Sequence, residues 1–422
     1  MHILEDLAAR GLIEQCSDLE ALKEHLSTGS RTLYCGFDPS ADSLHIGSLV
    51  PLVTLARFHK AGHTPLALIG GSTGMIGDPS FKDAERQMLE ADDVAGNGEK
   101  LKTQISGFLS SVCGTPIEVV NNYDWTKPMS VIDFLRDIGK AFSVNAMINK
   151  ESVKQRLNRE GSGISFTEFT YSILQSMDFS HLNRTHNCTL QIGGSDQWGN
   201  MVGGIDLSRR QNGTQVFIAT MPLITKSDGK KFGKSESGAV WLDKNKTSTY
   251  TFYQFWMNTA DSDVEKLLKI FTFLSLENIA EISKKHAEEP HKREGQRTLA
   301  REITKLVHGE SAVESAERIT EALFGGDLTS LTEDDLAQLR MDGMPASTLN
   351  EGHANLVDAL VSTKLAQSNR EARDFIKAGA VSSNGEKLED LEGQLDSASA
   401  LYGKYHILRR GKKNYHLLEL GA

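Results

Sequence analysis

The N-terminal half of the chain alternates unbroken apolar runs with stretches of helical spacing. Residues 31–37 form a β-rich run, and after a turn cluster residues 46–62 place apolar side chains at helical spacing and end on a glycine. Residues 65–70 are apolar throughout, which is typical of a strand buried on both faces. This order predicts a βαβ unit and hence a parallel sheet with right-handed crossovers. The runs 189–194 and 215–222 predict further strands of that sheet.

Three further segments follow this α/β domain, for which we predict the bounds 1–246. Residues 247–325 carry charged, amphipathic helical patterns and predict a helical domain. Residues 326–353 are poor in aromatic side chains and predict a linker with at most one short helix. Residues 354–422 again show a globular pattern and predict a small α+β module.

Composition narrows the class of protein. The chain has 422 residues, with 46 Lys and Arg against 56 Asp and Glu, a formal net charge of −10. This balance excludes an evenly basic nucleic-acid coat, so any RNA contact requires a local patch. The 4 cysteines stand singly without a CxxC pair, which indicates a reducing compartment. We expect a cytoplasmic protein without a membrane segment, because no signal-peptide pattern and no apolar run of about 18 residues occurs.

Two segments suit phosphate binding. His45-Ile46-Gly47-Ser48 opens the predicted helix after the first strand, and helix N-termini offer free N–H groups to phosphates. Taken alone, this motif is more often an ordinary helix start. The loop 223–238 interleaves glycines with lysines and could fold over a polyphosphate, although a solvated basic loop is an equally good reading. Its spacing is not that of a Walker A loop.

A polar stripe indicates a pocket for a small ligand. At about 100° per residue, Tyr171, Gln175 and Asp178 share one face of the helix predicted over 165–179. Neutral hydrogen-bonding groups with one carboxylate favour a pocket over a solvated face, which would be richer in Lys and Glu.

Two glycine-containing turns, 70–80 and 193–200, follow strands and present Asp78, Asp196 and Gln197. Each turn alone is more often a tight connection than a site. The sequence contains no paired metal-ligand spacing and no nucleophile motif, so we expect neither a protein-bound metal nor a covalent enzyme intermediate.

The C-terminal module, residues 354–422, is called the tail below. It carries a local excess of positive charge in an otherwise acidic chain. Residues 397–418 contain no acid, and a helix with a basic face precedes a hairpin turn at Asn384-Gly385. A compact basic module in an acidic chain is an electrostatic footprint for nucleic acid, with a solvated terminal patch as the alternative. The candidate RNA-binding residues are Arg370, Arg373, Lys377, Arg409, Arg410, Lys412 and Lys413.

In their order along the chain, the motifs YCGFDPSADSLHIG, GDPS, GGSDQWGN and KFGKS resemble those of the bacterial tyrosyl-tRNA synthetases of class I. The tail resembles an RNA-binding module of a small-subunit ribosomal protein, so the similarity extends nearly end to end. The resemblance implies a Rossmann-like catalytic domain and a tyrosine–tRNA ligase that uses ATP with Mg²⁺ and no tightly bound cofactor. It further implies L-tyrosine and tRNA(Tyr) as substrates and a homodimer.

The resemblance also implies residue roles. Tyr34 and Asp178 would bind the phenol hydroxyl of the substrate, while Asp78, Tyr171 and Gln175 would hold its amino group and Gln197 would lie near its carboxylate. The implied ATP-binding residues are Gly36, Asp38, His45, Gly47, Gly194, Asp196, Lys231, Lys234 and Ser235. Of these, His45, Lys231 and Lys234, together with Ser48, Lys82 and Arg86, would act on the phosphates.

Two positions depart from the usual signatures. Ser48 stands where a histidine is usual, and Phe232-Gly233 stand between the two lysines in place of Met-Ser. Two alternative functions remain: a class I synthetase for another aromatic amino acid, and a non-catalytic RNA-binding protein on a synthetase scaffold. Tyr34 and Asp178 argue against the first, and His45 with the two lysines against the second.

Overall fold

The structure, a computed structural model, describes residues 1–80, 88–158, 163–225, 227, 232–235, 238–349, 353–411 and 414–421. The chain forms two compact units. The first unit comprises residues 1–242 and 259–299, and the second comprises residues 243–258 and 300–422. These bounds differ from the predicted ones, because the predicted helical domain 247–325 is shared between the two units. The division into domains that we predicted stays a prediction.

A six-stranded sheet forms the centre of the first unit, in the order β1-β6-β5-β2-β3-β4. All neighbouring strands in it are parallel except the edge pair β1–β6. The strands of this unit are β1 (Gln15–Cys16), β2 (Thr32–Phe37), β3 (Thr64–Ile69), β4 (Val119–Asn121), β5 (Cys188–Gly194), β6 (Phe217–Met221), β7 (Lys234–Ser235) and β8 (Gly238–Ala239). The predicted α/β class with a parallel sheet is therefore confirmed, and β3 is buried along nearly its whole length, as its apolar run indicated.

The two units together contain the helices of the described residues. In order they are α1 (Ile3–Ala9), α2 (Leu19–Ser27), α3 (Leu49–Lys60), α4 (Gly71–Ile76), α5 (Ala91–Cys113), α6 (Tyr123–Thr126), α7 (Val131–Asp133), α8 (Val144–Ile148), α9 (Glu151–Leu157), α10 (Phe166–His186), α11 (Trp198–Asn212), α12 (Thr249–Met257), α13 (Asp261–Phe271), α14 (Leu276–Glu288), α15 (Glu294–His308), α16 (Glu310–Leu323), α17 (Glu333–Met341), α18 (Leu356–Ser362) and α19 (Asn369–Lys377). Within the described ranges, no helix is long and apolar enough to cross a membrane.

Helix α10 begins at a well-formed cap. Ser165 accepts a hydrogen bond from the backbone N–H of Glu168, and Asn187 ends the helix in the left-handed conformation. The Glu168 carboxylate forms a 2.9 Å ion pair with Arg156, and both side chains are almost completely buried. This pair fixes the first turn of the helix that carries the polar stripe.

The second unit contains a five-stranded sheet in the order β12-β11-β14-β15-β9. The strands of this unit are β9 (Ala346–Leu349), β10 (His353–Asn355), β11 (Val381–Ser383), β12 (Glu386–Lys387), β13 (Gln394–Asp396), β14 (Tyr405–Arg410) and β15 (Asn414–Leu420). The predicted hairpin is confirmed, since β11 and β12 pair antiparallel around Asn384 and Gly385, both at positive φ.

The expected linker 326–353 has a different structure. It contains α17 and β9, and β9 pairs in parallel with β15 of the tail. Leu328, Leu331, Leu336 and Leu339 are buried in one cluster with Ile407 and Leu417. The segment lacks aromatic side chains, but spaced leucines alone supply enough apolar surface to join the core of the module.

Candidate active site

A cavity of about 260 Å³ opens at the carboxyl ends of β2, β3 and β5. Open parallel sheets bind ligands at this edge, where the strand order reverses. Ten of the predicted residues line it: Tyr34, Gly36, Asp38, Asp78, Tyr171, Gln175, Asp178, Gly194, Asp196 and Gln197. The stripe predicted on α10 therefore faces a pocket and not the solvent.

Asp178 is the most deeply buried carboxylate of the cavity. It accepts hydrogen bonds from Asn122 Nδ2 at 3.0 Å and from Trp125 Nε1 at 2.9 Å. Burial raises the pKa of Asp178 to about 7, because removing the carboxylate from water disfavours its charge. The two donors act in the opposite direction, and the nearby charge of Asp38 raises the pKa further. With a pKa close to neutral pH, the Asp178 side chain can accept a hydrogen bond when it is ionised and donate one when it is protonated.

Within the described part of the chain, three buried polar atoms of the lining have no hydrogen-bond partner. They are the Tyr34 hydroxyl, Gln175 Oε1 and Gln191 Oε1. Tyr34 and Gln191 are register partners on the adjacent parallel strands β2 and β5, so their side chains lie on the same face of the sheet. Burial also raises the pKa of the Tyr34 hydroxyl well above its usual value, which keeps it a neutral donor. Because an unmade buried hydrogen bond costs about 1–3 kcal/mol, these atoms indicate a polar ligand.

A second polar network surrounds Asp38 and Asp78. The Tyr171 hydroxyl donates to Asp38 Oδ2 at 2.7 Å, and the Thr73 hydroxyl donates to Asp38 Oδ1 at 2.6 Å. Gln197 Nε2 donates to Asp78 Oδ2 at 2.7 Å. These bonds hold two carboxylates in fixed positions on the cavity wall, where they favour a cationic group such as an ammonium.

The first signature, His45 to Ser48, forms the 3₁₀ turn that opens α3. His45 Nδ1 accepts a hydrogen bond from the Gly47 N–H at 2.9 Å, which leaves Nε2 as the ring nitrogen that carries the proton. Burial lowers the pKa of His45, so the ring is a neutral donor. A Cβ on Gly47 would lie 2.7 Å from His45 Cε1, so only glycine allows this approach.

The second signature, by which we mean the loop 223–238 that contains KFGKS, is joined to the first through the backbone of Val240. Val240 accepts from the Ile46 N–H at 3.0 Å and donates its own N–H to the Gly233 carbonyl at 3.1 Å. Gly233 has a φ of +88°, and a Cβ there would be 3.7 Å from the Gly47 nitrogen. The sequence separated these signatures by almost two hundred residues, and the fold brings them together.

Several predicted residues have other placements. His45, Gly47 and Ser48 do not line the cavity; they lie beside it at the start of α3, whose Pro51 is part of the lining. The side chains of Lys234 and Ser235 belong to a strand whose backbone alone is described. Lys82, Arg86, Lys231, Lys412 and Lys413 lie outside the described residues.

Sequence reasoning missed several residues of the site, among them Cys35, Thr73 and Gln191 in the lining and Asn122 and Trp125 beside Asp178. Asn122 and Trp125 follow β4, a three-residue strand without a clear apolar run. Gln191 could have been noticed, because it is a polar side chain inside the apolar run that became β5.

The basic residues of the tail divide into separate groups. Arg370, Arg373 and Lys377 are exposed on α19. Arg409 lies over the Tyr415 ring, whereas Arg410 donates to the Leu365 carbonyl at 2.8 Å and packs over a phenylalanine. Successive residues of a strand face opposite sides, so these two arginines do not share a face. Arg410 has a structural contact within the module, and its role toward RNA stays a prediction.

Comparison with known proteins assigns the chain to a family. Residues 26–325 match the family model of class I tRNA synthetases (W and Y), and residues 335–418 match that of the tyrosine–tRNA ligase SYY-like C-terminal domain. The chain is 60% identical over 418 residues to the tyrosine–tRNA ligase of Aliivibrio fischeri, covering 99% of this chain and 98% of that protein. It is 56% identical over 417 residues to that of Chromobacterium violaceum, with coverages of 99% and 98%.

A solved structure agrees with this assignment. A C-terminally truncated mitochondrial tyrosyl-tRNA synthetase of Coccidioides posadasii has a TM-score of 0.67 and 32% identity, covering 75% of this chain and 91% of that one. The chain therefore belongs to the class I tRNA synthetases and, within them, to the tyrosine–tRNA ligase family.

Proposed function

We propose that this chain activates L-tyrosine with ATP, forming tyrosyl-adenylate and pyrophosphate, and then transfers the tyrosyl group to the terminal ribose hydroxyl of tRNA(Tyr). Its family makes it an ATP-dependent enzyme, a tyrosine–tRNA ligase. One observation carries the residue assignment: the buried Tyr34 hydroxyl, which has no partner, lines the same cavity as the buried Asp178 carboxylate. A phenol hydroxyl can accept from the first and donate to the second.

The amino-acid end of tyrosine fits the second polar network. The carboxylate of Asp78 and the side chains of Tyr171 and Gln175 would hold the ammonium group, and Gln175 Oε1 is one of the atoms without a partner. Gln197 would lie near the substrate carboxylate. Tyr171 and Gln197 are already oriented by their bonds to Asp38 and Asp78. Little side-chain ordering would accompany binding.

The activation step needs no general base. The tyrosine carboxylate is ionised at neutral pH and attacks the α-phosphorus of ATP, a new C–O–P bond forms, and the bond to the β-phosphate breaks with release of pyrophosphate. Catalysis is then positioning of the reactants and stabilisation of phosphate charge. Transfer follows when the ribose hydroxyl of tRNA attacks the carbonyl carbon and AMP leaves.

We assign the nucleotide to the signatures and the glycine turns. The neutral His45 would donate from Nε2 to a phosphate oxygen, with Ser48 as a second donor beside it. The remaining ATP-binding assignments are Gly36, Asp38, Gly47, Gly194, Asp196 and Ser235, with Lys231 and Lys234 on the pyrophosphate, assisted by Lys82 and Arg86. Mg²⁺ would accompany the nucleotide, since this ion is commonly bound through substrate phosphates.

The first experiment is ATP–pyrophosphate exchange with each of the twenty amino acids and no tRNA. We expect exchange with tyrosine alone. Exchange with another aromatic amino acid in its place would assign the pocket to that substrate. Absence of exchange from folded protein with Mg²⁺ would favour the RNA-binding alternative.

Asp178→Ala tests the phenol assignment separately. A site built to hydrogen-bond a hydroxyl discriminates against a substrate without it, because the polar groups of the site are left unpaired. We expect a fall in the ratio of tyrosine to phenylalanine activation. Gln197→Ala serves as the matched control, because it removes a polar contact from the amino-acid end and leaves the phenol end intact. An unchanged ratio in Asp178→Ala would reject the assignment.

We propose that tRNA binds the exposed basic face of α19, together with Arg409, Lys412 and Lys413. Arg373→Ala/Lys377→Ala should weaken tyrosylation of tRNA and leave pyrophosphate exchange intact, since the change removes phosphate contacts only. The control is Lys387→Ala on the neighbouring strand β12. Equal tyrosylation by the double variant and the control would remove α19 from the tRNA site.

We also propose a homodimer that forms through an apolar surface on the short helices of residues 131–148. Val131 is 73% exposed, Ile132 67% and Val144 59%, with Leu135 and Ile148 also exposed. Such a concentration of exposed apolar side chains marks an interaction surface. Ile132→Glu should convert the dimer to a monomer in sedimentation analysis, whereas Leu19→Glu, at another exposed leucine, should not.

A cytoplasmic location is part of the proposal, supported by the four cysteines, all of which are unpaired thiols.

A further inference from the structure

Helix α13 contacts the second signature at two points eight residues apart. The Ser227 N–H donates to Asp263 Oδ2 at 3.0 Å in the first turn of the helix. At its last residue, the Phe271 ring stacks on the Phe232 ring with 5.5 Å between centroids and 20° between planes. At 1.5 Å of rise per residue, the two points are about 12 Å apart along the axis. Phe232 lies between the two signature lysines in the sequence.

The C-terminal end of this helix is fixed by two arginines. Arg10, the residue that follows α1, donates to the Lys269 carbonyl at 3.2 Å and to the Leu274 carbonyl at 2.9 Å. Arg57 of α3 donates to the Thr272 carbonyl, and both arginines pair with Asp6. Guanidinium groups here satisfy carbonyls that the helix itself leaves unpaired and complement the negative end of its dipole.

The N-terminal end is fixed as well. The Asp261 carboxylate accepts from Gln296 Nε2 at 2.5 Å and bonds His286 Nε2 at 3.1 Å, and both partners are buried. Since α3 begins at the first signature and its Arg57 bonds the C-terminal end of α13, these two helices connect the backbone that presents His45 with the segment of the second signature.

We infer that Asp263 and Phe271 are positioning residues of the activation step: by holding Ser227 and Phe232, they fix the backbone of the second signature relative to the first. The inference rests on the proposed function of the two signature lysines. Neither residue lines the cavity, so tyrosine binding in the absence of ATP should not depend on them. A misplaced charged group loses its effect on a transition state steeply, because catalysis depends on geometry.

The test is a double-variant cycle of Phe232→Leu and Phe271→Leu. An aromatic stack accounts for about a two- to tenfold effect beyond burial, so each single change should slow single-turnover adenylate formation by about that factor. The double variant should be no slower than the slower single, since both changes remove one contact. The dissociation constant of tyrosine without ATP should stay within about twofold of the unchanged protein. The inference would be overturned if the rate losses of the two single variants multiplied in the double variant. It would also be overturned if tyrosine affinity fell by as much as the rate of adenylate formation.

Phe58→Leu is the matched control. Phe58 is fully buried in α3, lies against the tilted ring of His63 with 5.8 Å between centroids, and has no contact with the second signature among the contacts described. It should lose comparable thermal stability and keep its rate of adenylate formation. Asp263→Ala is compared in the same way with Glu265→Ala, whose exposed carboxylate pairs with Lys269 on the same helix. If a control variant formed adenylate as slowly as the variant with which it is matched, the effect would come from lost stability and the inference would be wrong.

A second readout needs no catalysis. Trypsin cleaves after lysine, and Lys226, Lys230, Lys231 and Lys234 lie in the second signature. Phe232→Leu, Phe271→Leu and Asp263→Ala should each raise the rate of cleavage in this segment, and the two controls should not. If the unchanged protein forms no adenylate, the proposed function fails, and the cleavage rates still decide whether α13 holds this segment. Equal cleavage in variants and controls would overturn the inference.

Discussion

Replacing Trp125 by phenylalanine should raise the pKa of Asp178 and move the pH dependence of tyrosine binding to higher pH. The change removes one donor to the carboxylate, the 2.9 Å bond from Trp125 Nε1, and keeps an aromatic ring over His181, on which Trp125 stacks at 4.3 Å. Burial lowers the pKa of His181 to about 4, so that partner stays neutral above pH 5 and does not titrate in the same range.

The size of the shift follows from the lost bond. A hydrogen bond to a charged group contributes about 1.5–3 kcal/mol, and one pKa unit corresponds to about 1.4 kcal/mol, so the pKa should rise by about one to two units. It would move from about 7 to between about 8 and 9.

The direction in which tyrosine affinity changes with pH follows from the role of the Asp178 carboxylate as a hydrogen-bond acceptor. Only ionised Asp178 can accept from the substrate phenol without donating, so tyrosine affinity should rise as the pH rises through the pKa. We therefore expect the midpoint of the tyrosine dissociation constant against pH, measured without ATP, to lie one to two units higher in Trp125→Phe. Trp198→Phe is the control, because Trp198 packs in the same apolar cluster and has no hydrogen bond to Asp178 among those described. A midpoint that stays in place, or moves down, would refute this account of Asp178.

Three further changes have definite expected outcomes. Gly47→Ala puts a methyl group 2.7 Å from the His45 ring and should lower the rate of adenylate formation at least tenfold in single-turnover assays while tyrosine affinity is retained. Arg156→Leu leaves the buried Glu168 carboxylate unpaired and should lower the free energy of unfolding by about 3–5 kcal/mol in urea titrations, whereas a double apolar replacement of the pair should recover most of it. Tyr34→Phe removes a buried hydroxyl without a partner, so it should leave thermal stability unchanged or higher and weaken tyrosine binding about two- to tenfold by equilibrium dialysis.

The regular elements of the fold could be predicted because each has a local pattern. The apolar run at 65–70 became a buried strand, and the stripe of Tyr171, Gln175 and Asp178 turned toward the cavity. The segment 326–353 was misjudged because its burial depends on pairing with β15, which is about seventy residues away, and no local period records such a partner.

The polar surroundings of the site depend still more on tertiary structure. Asn122 and Trp125 reach Asp178 across more than fifty residues of sequence, and the pKa of that carboxylate depends on their donors and on burial. The resemblance to known synthetases supplied residue roles that spacing alone left open. It gave no indication that helix α13 would hold the second signature.

The arginine pair that fixes the end of α13 also constrains how the chain is made. Arg10 and the Leu274 carbonyl are separated by 264 residues, so the ribosome must add this whole length before the bond can form. At about 5–20 residues per second, the guanidinium waits roughly 13–50 s for its acceptor. The six strands of the sheet have all been made once Met221 is added, so the contacts of Arg10 with the end of α13 form after those strands are available. The first unit therefore completes its folding late in synthesis, and a chaperone that shields the nascent N-terminal segment would act within this interval.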